Sequence, residues 1–548
     1  MRLLDKKTLI VVLVALASFA AGLLTTGAAA NNRAETLRNL ERFSRVYQKI
    51  IESYVEEEDS KELVDAAIEA MIDKLDPFSA YMDQAMLEDL LVKTKGEFGG
   101  LGIIISVRDD YPTVISPIEG TPAARLGIRG GDKIVRIEGE STKGWNVQDA
   151  VDKLRGPEGS VVDIGIQRFG SEEILPYHIT RAIIPVESVP YHFVLEGDIG
   201  YIRCVNFGER TAEELRTAIA SLETQGIEGL ILDLRNNPGG LLESARDVSD
   251  LFLDPGQIIV STRGRDGRRL QEIHASDNER FAGDYPLVVM INENSASASE
   301  IVAGAVQDWD RGLVVGRNSY GKGSVQSIFS ISETEALKLT TAKYYTPSGR
   351  CIHKDENDER PDYDTDGDGI VTEAELEAIE TAQLETPAES PIESQLPLYA
   401  TLRLQRPVRG GGGIMPDIVL AADEISDQAL DLERRSAFFN FAVELLAEHS
   451  VDRDFQVDAA LLARFRAWLA AKEIAVAPAD FSANEGYIRM ALRREVLYKQ
   501  FGAAEAYQST LGMDRVLQET LGLLKDQHDL NALFATSGER GDDNSQKQ

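Results

Sequence analysis

The chain has 548 residues, 43% of them hydrophobic, which is enough for about three or four domains with packed cores. Ninety-one acidic and 57 basic residues give a formal net charge of −34, which argues against nucleic acid as a partner and against adhesion to an anionic membrane surface. Two cysteines, Cys204 and Cys351, do not make a disulfide framework. Cys204 stands in the apolar stretch 199–207, which predicts a strand with a buried thiol.

Residues 1–30 have the pattern of an export signal. Arg2, Lys6 and Lys7 precede the apolar stretch 9–24, and a patch of small residues ends at Ala30. Two outcomes stay open: cleavage after Ala30, or retention as an uncleaved inner-membrane anchor, because the apolar stretch approaches spanning length. Both outcomes place the remaining chain outside the cytoplasm, and we expect a bacterial periplasm.

Helical apolar spacing continues over 34–54, 60–75 and, more briefly, 86–92. The pattern predicts an N-terminal helical region at 31–92, interrupted by a turn at 75–81. Amphipathic helices pack within one chain at least as often as between two chains.

Three segments in order define the next region, 93–182. A glycine loop leads into a strand at 96–105, a short helix, turn and strand follow at 121–135, and an amphipathic helix lies at 146–154. Together they resemble a PDZ domain; the alternative is an unrelated small β-rich domain. The resemblance implies that an extended peptide tail binds at a sheet edge, with its carboxylate on loop amides. The matching residues are Gly100, Leu101 and Gly102 for the loop, and Leu101, Ile103 and Val151 for the apolar pocket.

Two buried strands in the following region end in small-residue turns. The run 229–240 is an apolar strand followed by Asn-Asn-Pro-Gly-Gly, and the run 287–291 is followed by alternating serines and alanines and then by a helical pattern over 300–308. Ser297 falls at this strand-to-helix elbow, where free amides and the helix dipole favour a developing oxyanion. We predict an oxyanion hole made by the amide of Gly240, or that of Gly239, with the amide of Ala298.

Lys322 stands between two glycines further along the chain. A lysine can deprotonate a serine only if burial lowers its pKa towards neutrality, so Ser297 and Lys322 form a candidate nucleophile and base. Ser295 and Ser299 remain rivals for the nucleophile, because side-chain chemistry does not separate the three serines. None of the six histidines stands in a recognised triad motif.

These motifs, in this order, resemble the carboxyl-terminal processing protease family, also called tail-specific proteases, over about 33–420. The resemblance implies a Ser-Lys dyad at Ser297 and Lys322, a glutamine at Gln326 that orients the lysine, and an oxyanion strand at 233–240. It also implies a crotonase/ClpP-like α/β core, serine endopeptidase activity on exposed C-terminal tails, and no cofactor for catalysis. In the related family, helices like those predicted at 31–92 pack beside the core and often mediate dimerisation, so a homodimer formed through these helices is one of two interpretations. Two other functions are weighed: a non-catalytic PDZ scaffold, and a crotonase-type acyl-CoA enzyme, for which this acidic chain offers no basic surface.

An acidic insertion at about 354–409 lies between two motifs that are usually only a few residues apart in members of this family. It contains an EF-hand-type calcium loop at 364–375. The ligands, at loop positions one, three, five, seven, nine and twelve, are Asp364, Asp366, Asp368, the backbone carbonyl of Ile370, Thr372 and Glu375. An exiting helix at 372–383 is evident and an entering helix is not, so we expect one structural calcium rather than a paired sensor; a merely solvated acidic loop is the alternative.

Helical spacing at 425–446, 457–472, 484–501 and 513–524 predicts a C-terminal helical domain at 425–536 without catalytic motifs, followed by a disordered tail at 537–548. The sequence thus predicts an α/β multidomain protein. Its protease core occupies 183–424, between a PDZ domain with N-terminal helices before it and a helical appendage after it.

Overall fold

The computed structural model describes residues 34–276, 280–354, 396–421, 425–525, 531 and 533–534. In that part of the chain the helices are α1 (34–53), α2 (Ser60–Ile72), α3 (Gln84–Lys95), α4 (Pro122–Arg125), α5 (Val147–Leu154), α6 (Thr211–Glu223), α7 (Leu242–Asp250), α8 (Ala298–Asp308), α9 (Asp427–Arg434), α10 (Ala437–Glu448), α11 (Ala459–Ala471), α12 (Pro478–Ala483), α13 (Glu485–Phe501), α14 (Ala503–Gln508) and α15 (Arg515–Leu524). The strands are β1 (Ala80–Met82), β2 (Glu97–Gly100), β3 (Ile103–Arg108), β4 (Tyr111–Pro117), β5 (Lys133–Ile137), β6 (Glu140–Ser141), β7 (Val161–Gln167), β8 (Ile174–Thr180), β9 (Ala182–Pro185), β10 (Tyr191–Leu195), β11 (Ile199–Arg203), β12 (Gly229–Asp233), β13 (Ile258–Arg263), β14 (Arg269–His274), β15 (Leu287–Ile291), β16 (Leu313–Gly316), β17 (Ser324–Ser330), β18 (Ala336–Tyr345), β19 (Leu398–Ala400), β20 (Pro407–Arg409) and β21 (Ile418–Val419).

The chain divides into two compact units. The smaller comprises residues up to Tyr81 with Leu337–Leu339, and the larger holds the rest. In the smaller unit α2 begins after Asp59, whose carboxylate accepts hydrogen bonds from the amides of Lys61 and Glu62 and so caps the helix. Helix α1 exposes a row of apolar side chains: Leu37, Leu40, Phe43, Val46 and Ile50.

An antiparallel sheet in the order β3-β4-β5-β7-β8 forms the first part of the larger unit. Helix α5 packs its apolar face on this sheet, and its first turn is closed by a capping box between Asn146 and Asp149. Strands β2 and β9 pair beside it. The arrangement matches the loop, strand and helix segments that the sequence predicts for the PDZ domain.

A six-stranded sheet in the order β10-β11-β12-β15-β16-β21 forms the second part, with every pair after β10 parallel. Strands β12, β15 and β16 are buried along their whole length, as expected of a parallel sheet covered on both faces. Helices α6, α7 and α8 contribute to the core on one face. A smaller sheet, in which β17 and β13 both pair with β18, lies beside it.

The C-terminal helices cover the other face of this sheet. Leu517, Leu521 and Leu524 share a core with Ile231 and Met290 of the parallel strands. The same helical region also reaches the PDZ-like sheet, where the ring of Phe439 on α10 lies 4.0 Å from the guanidinium carbon of Arg108 and 3.7 Å from the amine of Lys499. The region therefore contacts both other parts of the larger unit.

Two predicted elements differ from the structure. The strand expected over 199–207 ends at Arg203, and Cys204 lies just beyond it; the thiol is free and fully buried, and burial raises its pKa to about 12. The single helix expected over 425–446 is wrong. It is broken into α9 and α10 because Ser436 adopts a left-handed conformation with φ 54°, which an α-helix cannot contain.

Candidate active site

Ser297 lies at the sharp turn between strand β15 and helix α8, as the sequence predicts. Its backbone has φ 55° and ψ −110°, outside the regions that non-glycine residues favour. Such a conformation costs about 1–3 kcal/mol and persists only where the surroundings hold it. The turn presents the Ser297 side chain, which is partly exposed, at the N-terminus of α8.

The structure distinguishes the three candidate serines, which side-chain chemistry alone did not separate and of which the family resemblance favours Ser297. The hydroxyl of Ser295 is buried and donates to the carbonyl of Leu234 at 2.9 Å, and the hydroxyl of Ser299 is buried and donates to the carbonyl of Asn237 at 2.9 Å. Both hydroxyls hold the turn together. Only Ser297 of the three has a side chain open to solvent, so the geometry favours it as the nucleophile.

Glu300, three residues after Ser297, is fully buried and was not predicted as a site residue. Its Oε2 atom accepts from the amides of Ser297 at 2.7 Å and Lys322 at 3.0 Å. Its Oε1 atom accepts from the hydroxyl of Ser319 at 2.6 Å and the amide of Gly321 at 2.7 Å. Burial raises the pKa of Glu300 to about 7, against the effect of these four donors. The Ser-x-x-Glu spacing of a helix capping box is the signal that could have drawn attention to it.

Glu300 connects the two predicted members of the dyad. Because the amides of Ser297 and Lys322 donate to the same oxygen, their nitrogen atoms lie within about 6 Å of each other. Lys322 is half-buried, and its backbone carbonyl accepts a hydrogen bond from the hydroxyl of Tyr344 on β18. The fold therefore brings the elbow and the glycine-lysine-glycine segment together, although they are far apart in sequence.

The glycines beside Lys322 are required by close packing. A Cβ atom on Gly323 would lie 2.6 Å from the amide nitrogen of His353. Gln326 lies on β17, where its side-chain amide donates to Ser324 at 2.9 Å and to Thr340 at 3.3 Å. These contacts fix the glutamine near the lysine segment; its predicted role in orienting the lysine amine stays a prediction.

The glycine turn after β12 packs directly on the elbow. Gly239 has φ 93°, and a Cβ atom there would lie 2.8 Å from both the amide nitrogen of Ala298 and the Cβ of Ser297. The Gly239 amide donates to the side chain of Asn237 at 2.9 Å, so it is not available for an oxyanion. In the described part of the chain, the amides of Gly240 and Ala298 donate to no other backbone or side-chain group. These are the two predicted oxyanion donors.

Asn237 is a second residue that the sequence analysis missed. Its side chain donates to the carbonyl of Cys204 at 3.0 Å, and its own carbonyl accepts from Ser299 and from the amide of Ala296. It thus connects the end of β11, the glycine turn and the elbow. No local pattern distinguishes it from the asparagine beside it.

A charged cluster fixes the end of β12. Burial alone would raise the pKa of Asp233, but Arg235 and Arg203 outweigh it and lower that pKa to about 2. Arg235 also pairs with Asp514, which begins helix α15, at 2.6 Å. The hydroxyl of Tyr201 donates to Asp233 at 2.7 Å. The C-terminal helices are therefore bound to the strand that precedes the glycine turn.

The predicted tail-binding residues line one cavity of about 90 Å³ in the PDZ-like part. Gly100, Leu101, Gly102, Ile103 and Val151 all contribute to it. The cavity lies between the glycine loop, strand β3 and helix α5. Its apolar lining suits the apolar side chain of a C-terminal residue.

Two predicted sites fall outside the described residues. These are the calcium loop at 364–375 and the export signal at 1–30. Among the residues that the structure does describe, no cluster of acidic, histidine or cysteine side chains is arranged to hold a metal ion. None of the helices within the same residues is long and apolar enough to cross a membrane.

The partly exposed serine at the elbow and the PDZ-like sheet agree with the class that the comparisons show, a serine peptidase with a PDZ domain. Family models agree: Peptidase family S41 matches residues 198–364, a PDZ domain matches 113–168, and the activating protease CtpB N-terminal domain matches 18–86. The chain is 44% identical over 326 residues, 59% of its length, to a carboxy-terminal-processing protease of Bartonella bacilliformis, of which it covers 74%. The chain belongs to the carboxy-terminal processing protease family.

A second curated relative and one solved structure also match part of the chain. The chain is 35% identical to the carboxy-terminal processing protease CtpB of Bacillus subtilis over 60% of this chain and 68% of that protein. A solved photosystem II D1 C-terminal processing protease matches with 28% identity and a TM-score of 0.33, over 57% of this chain and 89% of that one. The predicted family, fold class and serine peptidase activity are confirmed.

Proposed function

We propose that this protein is an exported endopeptidase that cleaves proteins with exposed C-terminal tails through an acyl-enzyme formed on Ser297. The elbow carries the proposal, because Ser297 is the one accessible serine of three and its backbone is joined through Glu300 to that of Lys322. A scaffold without activity would need neither the strained elbow nor the two free amides beside it.

In the proposed reaction, the neutral amine of Lys322 takes the proton of the Ser297 hydroxyl as its oxygen attacks the scissile carbonyl. The amides of Gly240 and Ala298 donate to the oxyanion that forms. Lys322 returns the proton to the leaving amine, and water then hydrolyses the ester. Gln326 orients the lysine amine, as the family resemblance implies.

Substrate choice belongs to the PDZ domain in this proposal. Backbone amides of the loop that contains Gly100, Leu101 and Gly102 bind the terminal carboxylate, and the cavity that includes Ile103 and Val151 takes the last apolar side chain. A tail ending in an acidic residue should be cleaved more slowly than one ending in valine or leucine.

The test compares wild-type protein with Ser297→Ala and Lys322→Ala on a substrate that carries a disordered apolar tail. We expect cleavage by the wild type, loss of about 10³-fold or more in both variants, and unchanged melting temperatures. The matched control is Lys343→Ala, which removes a lysine on the adjacent strand β18 and should keep full activity. Cleavage by Lys322→Ala at the wild-type rate would end the dyad proposal.

Export and anchoring are proposed from the residues before position 31. Arg2, Lys6 and Lys7 followed by the apolar stretch support delivery to the periplasm, with or without retention of an inner-membrane anchor. Cell fractionation with N-terminal sequencing tests this: a mature N-terminus at Asn31 indicates cleavage, an intact N-terminus in the membrane fraction indicates an anchor, and protein in the cytoplasm contradicts the proposal.

We also propose that one calcium ion binds the loop at 364–375 and orders the insertion. The support is that each of the six ligand positions of the loop, from Asp364 to Glu375, offers the expected oxygen. Titration calorimetry should detect binding at millimolar calcium or below, and Glu375→Gln should abolish it. A Glu375→Gln variant with unchanged calcium binding would contradict the site.

A homodimer is proposed through helix α1. Leu40, Phe43 and Val46 lie within about one third of the helix circumference and are each about half exposed or more, which is unusual for large apolar side chains on one face of a helix. Light scattering should give a dimer mass for the wild type and a monomer mass for Leu40→Asp. A monomeric wild type would refute this assignment.

A further inference from the structure

Asn237 is a fully buried asparagine to which the proposed mechanism gives no role, and its side-chain amide is hydrogen-bonded at both ends. The side-chain oxygen accepts from the amide of Gly239 at 2.9 Å. The side-chain nitrogen donates to the carbonyl of Cys204 at 3.0 Å and to its sulfur at 3.6 Å. Because Cys204 directly follows strand β11, Asn237 connects the amide of Gly239 to the end of a buried strand.

The backbone of Phe207 fixes the other side of Gly239. Its amide donates to the Gly239 carbonyl at 3.1 Å, and its carbonyl accepts from the amide of Leu241 at 2.8 Å. In a trans peptide, the carbonyl of one residue and the N–H of the next point in opposite directions. The N–H of Gly240 therefore points away from Phe207. A side chain at Gly240 is excluded, because its Cβ would lie 2.1 Å from the Phe207 carbonyl oxygen.

These contacts hold Gly239 in one conformation. The residue is buried with φ 93°, and without its two anchors a glycine could adopt many other conformations. Any rotation about its φ or ψ would turn the N–H of Gly240, which is exposed and donates to no protein group in the described part of the chain. A Cβ on Gly239 would lie 2.8 Å from the amide nitrogen of Ala298. The direction of the Gly240 amide relative to Ala298 therefore depends on Asn237.

We propose that Asn237 is a positioning residue of the oxyanion hole: it holds the glycine turn so that the amides of Gly240 and Ala298 donate to the same oxygen. This rests on the proposed function, in which an oxyanion forms when Ser297 attacks the scissile carbonyl. Asn237 touches no reacting atom and exchanges no proton. It acts through Gly239, so its effect is on the transition state rather than on the binding of the substrate.

The experiment replaces Asn237 with alanine and uses Val248→Ala as the matched control, at a temperature where both variants are folded. Val248 is fully buried on α7 in the same hydrophobic core as Cys204, so its replacement removes packing but breaks no hydrogen bond of the turn. We expect Asn237→Ala to lower kcat by about tenfold to a hundredfold and to leave KM within about twofold. A peptide aldehyde, whose adduct with Ser297 places an oxygen between the two amides, should lose affinity by a similar factor. Val248→Ala should match the wild type in all three measurements.

Unchanged kcat and aldehyde affinity in Asn237→Ala would overturn the proposal, as would an equal loss of both in Val248→Ala. If Asn237→Ala is not folded at the assay temperature, Asn237→Asp takes its place, because it keeps the size of the side chain. Its carboxylate presents an acceptor to the Cys204 carbonyl where asparagine presents a donor, and the two oxygens repel each other. A parallel loss of kcat and aldehyde affinity in Asn237→Asp then supports the proposal, and wild-type values refute it.

Ser297→Ala separates this proposal from the proposed function. If Ser297→Ala still cleaves the substrate, the proposed function fails and the role of Asn237 fails with it. If Ser297→Ala and Lys322→Ala are inactive while Asn237→Ala keeps the kcat and the aldehyde affinity of the wild type, only the proposal for Asn237 fails.

Discussion

Replacing Glu300 with glutamine should give a stable protein without activity. The carboxylate accepts four hydrogen bonds at 2.6 to 3.0 Å, two on each oxygen. The side-chain oxygen of a glutamine can accept hydrogen bonds from only one of these two pairs of donors. The NH₂ group of the glutamine must then face the other pair, which includes at least one amide N–H. Two donors of this site therefore lose their acceptor, whichever way the amide group turns.

The effect on stability is small because two contributions oppose each other. The pKa of about 7, against an ordinary 4.5, means that keeping Glu300 charged in the folded protein at pH 8 costs about 3 kcal/mol. Glutamine removes that cost. It also forfeits two hydrogen bonds, worth about 1–3 kcal/mol each when the donors are left buried. The free energy of unfolding of Glu300→Gln at pH 8 should therefore lie between about 1 kcal/mol above and about 3 kcal/mol below that of the wild type.

The effect on activity is large because all four donors belong either to Ser297 or to the segment 319–322, which carries Lys322, so the loss of either pair displaces the proposed nucleophile or the proposed base. A misplacement of about 1 Å at a reacting group can cost about 10²-fold in rate, so we expect kcat of Glu300→Gln to fall by at least that factor. Glu293→Gln, an exposed glutamate on the same loop, is the control and should be fully active. Activity of Glu300→Gln within about twofold of the wild type would contradict this role of the carboxylate.

The pH dependence of stability gives a second measurement on the same variant. Because the folded pKa of Glu300 is raised, its carboxyl stabilises the fold below the ordinary pKa of 4.5, and this contribution is lost as the pH rises through about 7. The stability of the wild type relative to Glu300→Gln should thus fall by about 3 kcal/mol between pH 4.5 and 8. Urea unfolding at each pH measures this difference, and a constant difference would contradict the raised pKa.

Three further substitutions examine the surroundings of the site. Gly239→Ala should abolish peptide cleavage, because its Cβ would lie 2.6 Å from the carbonyl oxygen of Ala296; an active variant would show that the glycine turn can move away from the elbow. Asp514→Asn keeps the helix cap but loses the ion pair with Arg235, so urea unfolding should show a loss of about 1–3 kcal/mol with kcat nearly unchanged. Phe439→Ala should lower the melting temperature and open the PDZ domain to limited proteolysis, because a buried ring between two cations is removed; equal protease resistance in variant and wild type would contradict this.

The sequence predicts those elements best that are defined by local patterns. Strand β15 begins and ends where its apolar run predicts, because a proline precedes that run and an asparagine follows it. The five residues predicted for the tail-binding pocket line one cavity for the same reason. A glycine loop, a strand and an amphipathic helix carry that site, and each has its own pattern.

The residues that the sequence could not predict act through contacts between distant segments. Glu300 joins the elbow to the segment of Lys322, and Tyr344 reaches the same segment from β18. Asn237 joins the glycine turn to the elbow and to β11. Such contacts leave no periodicity in a single sequence. The family resemblance favoured Ser297 over its two neighbours, but side-chain chemistry alone did not separate the three serines.

The C-terminal helices are more closely built into the fold than an appendage would be. The six-stranded parallel sheet needs both of its faces covered. Helix α15 and the preceding residue Leu511 cover one of these faces. Tyr507 stacks on Tyr191 at 4.3 Å, and Asp514 pairs with Arg235 next to the glycine turn. The helical pattern in the sequence revealed the apolar faces of these helices but not what they cover.

A chain that ends at residue 421 should therefore fail to fold into a soluble protease. Leu511, Leu517, Leu521, Leu523 and Leu524 are all buried in the core shared with the sheet. At about 1.5–3 kcal/mol each, their burial contributes about 10 kcal/mol, which is as large as the whole net stability of a typical domain. A chain that ends at Phe534 keeps all five leucines and should remain soluble and active. Expression of both chains, with solubility and peptide cleavage as readouts, tests this, and a soluble, active protein ending at residue 421 would show that the sheet does not need this cover.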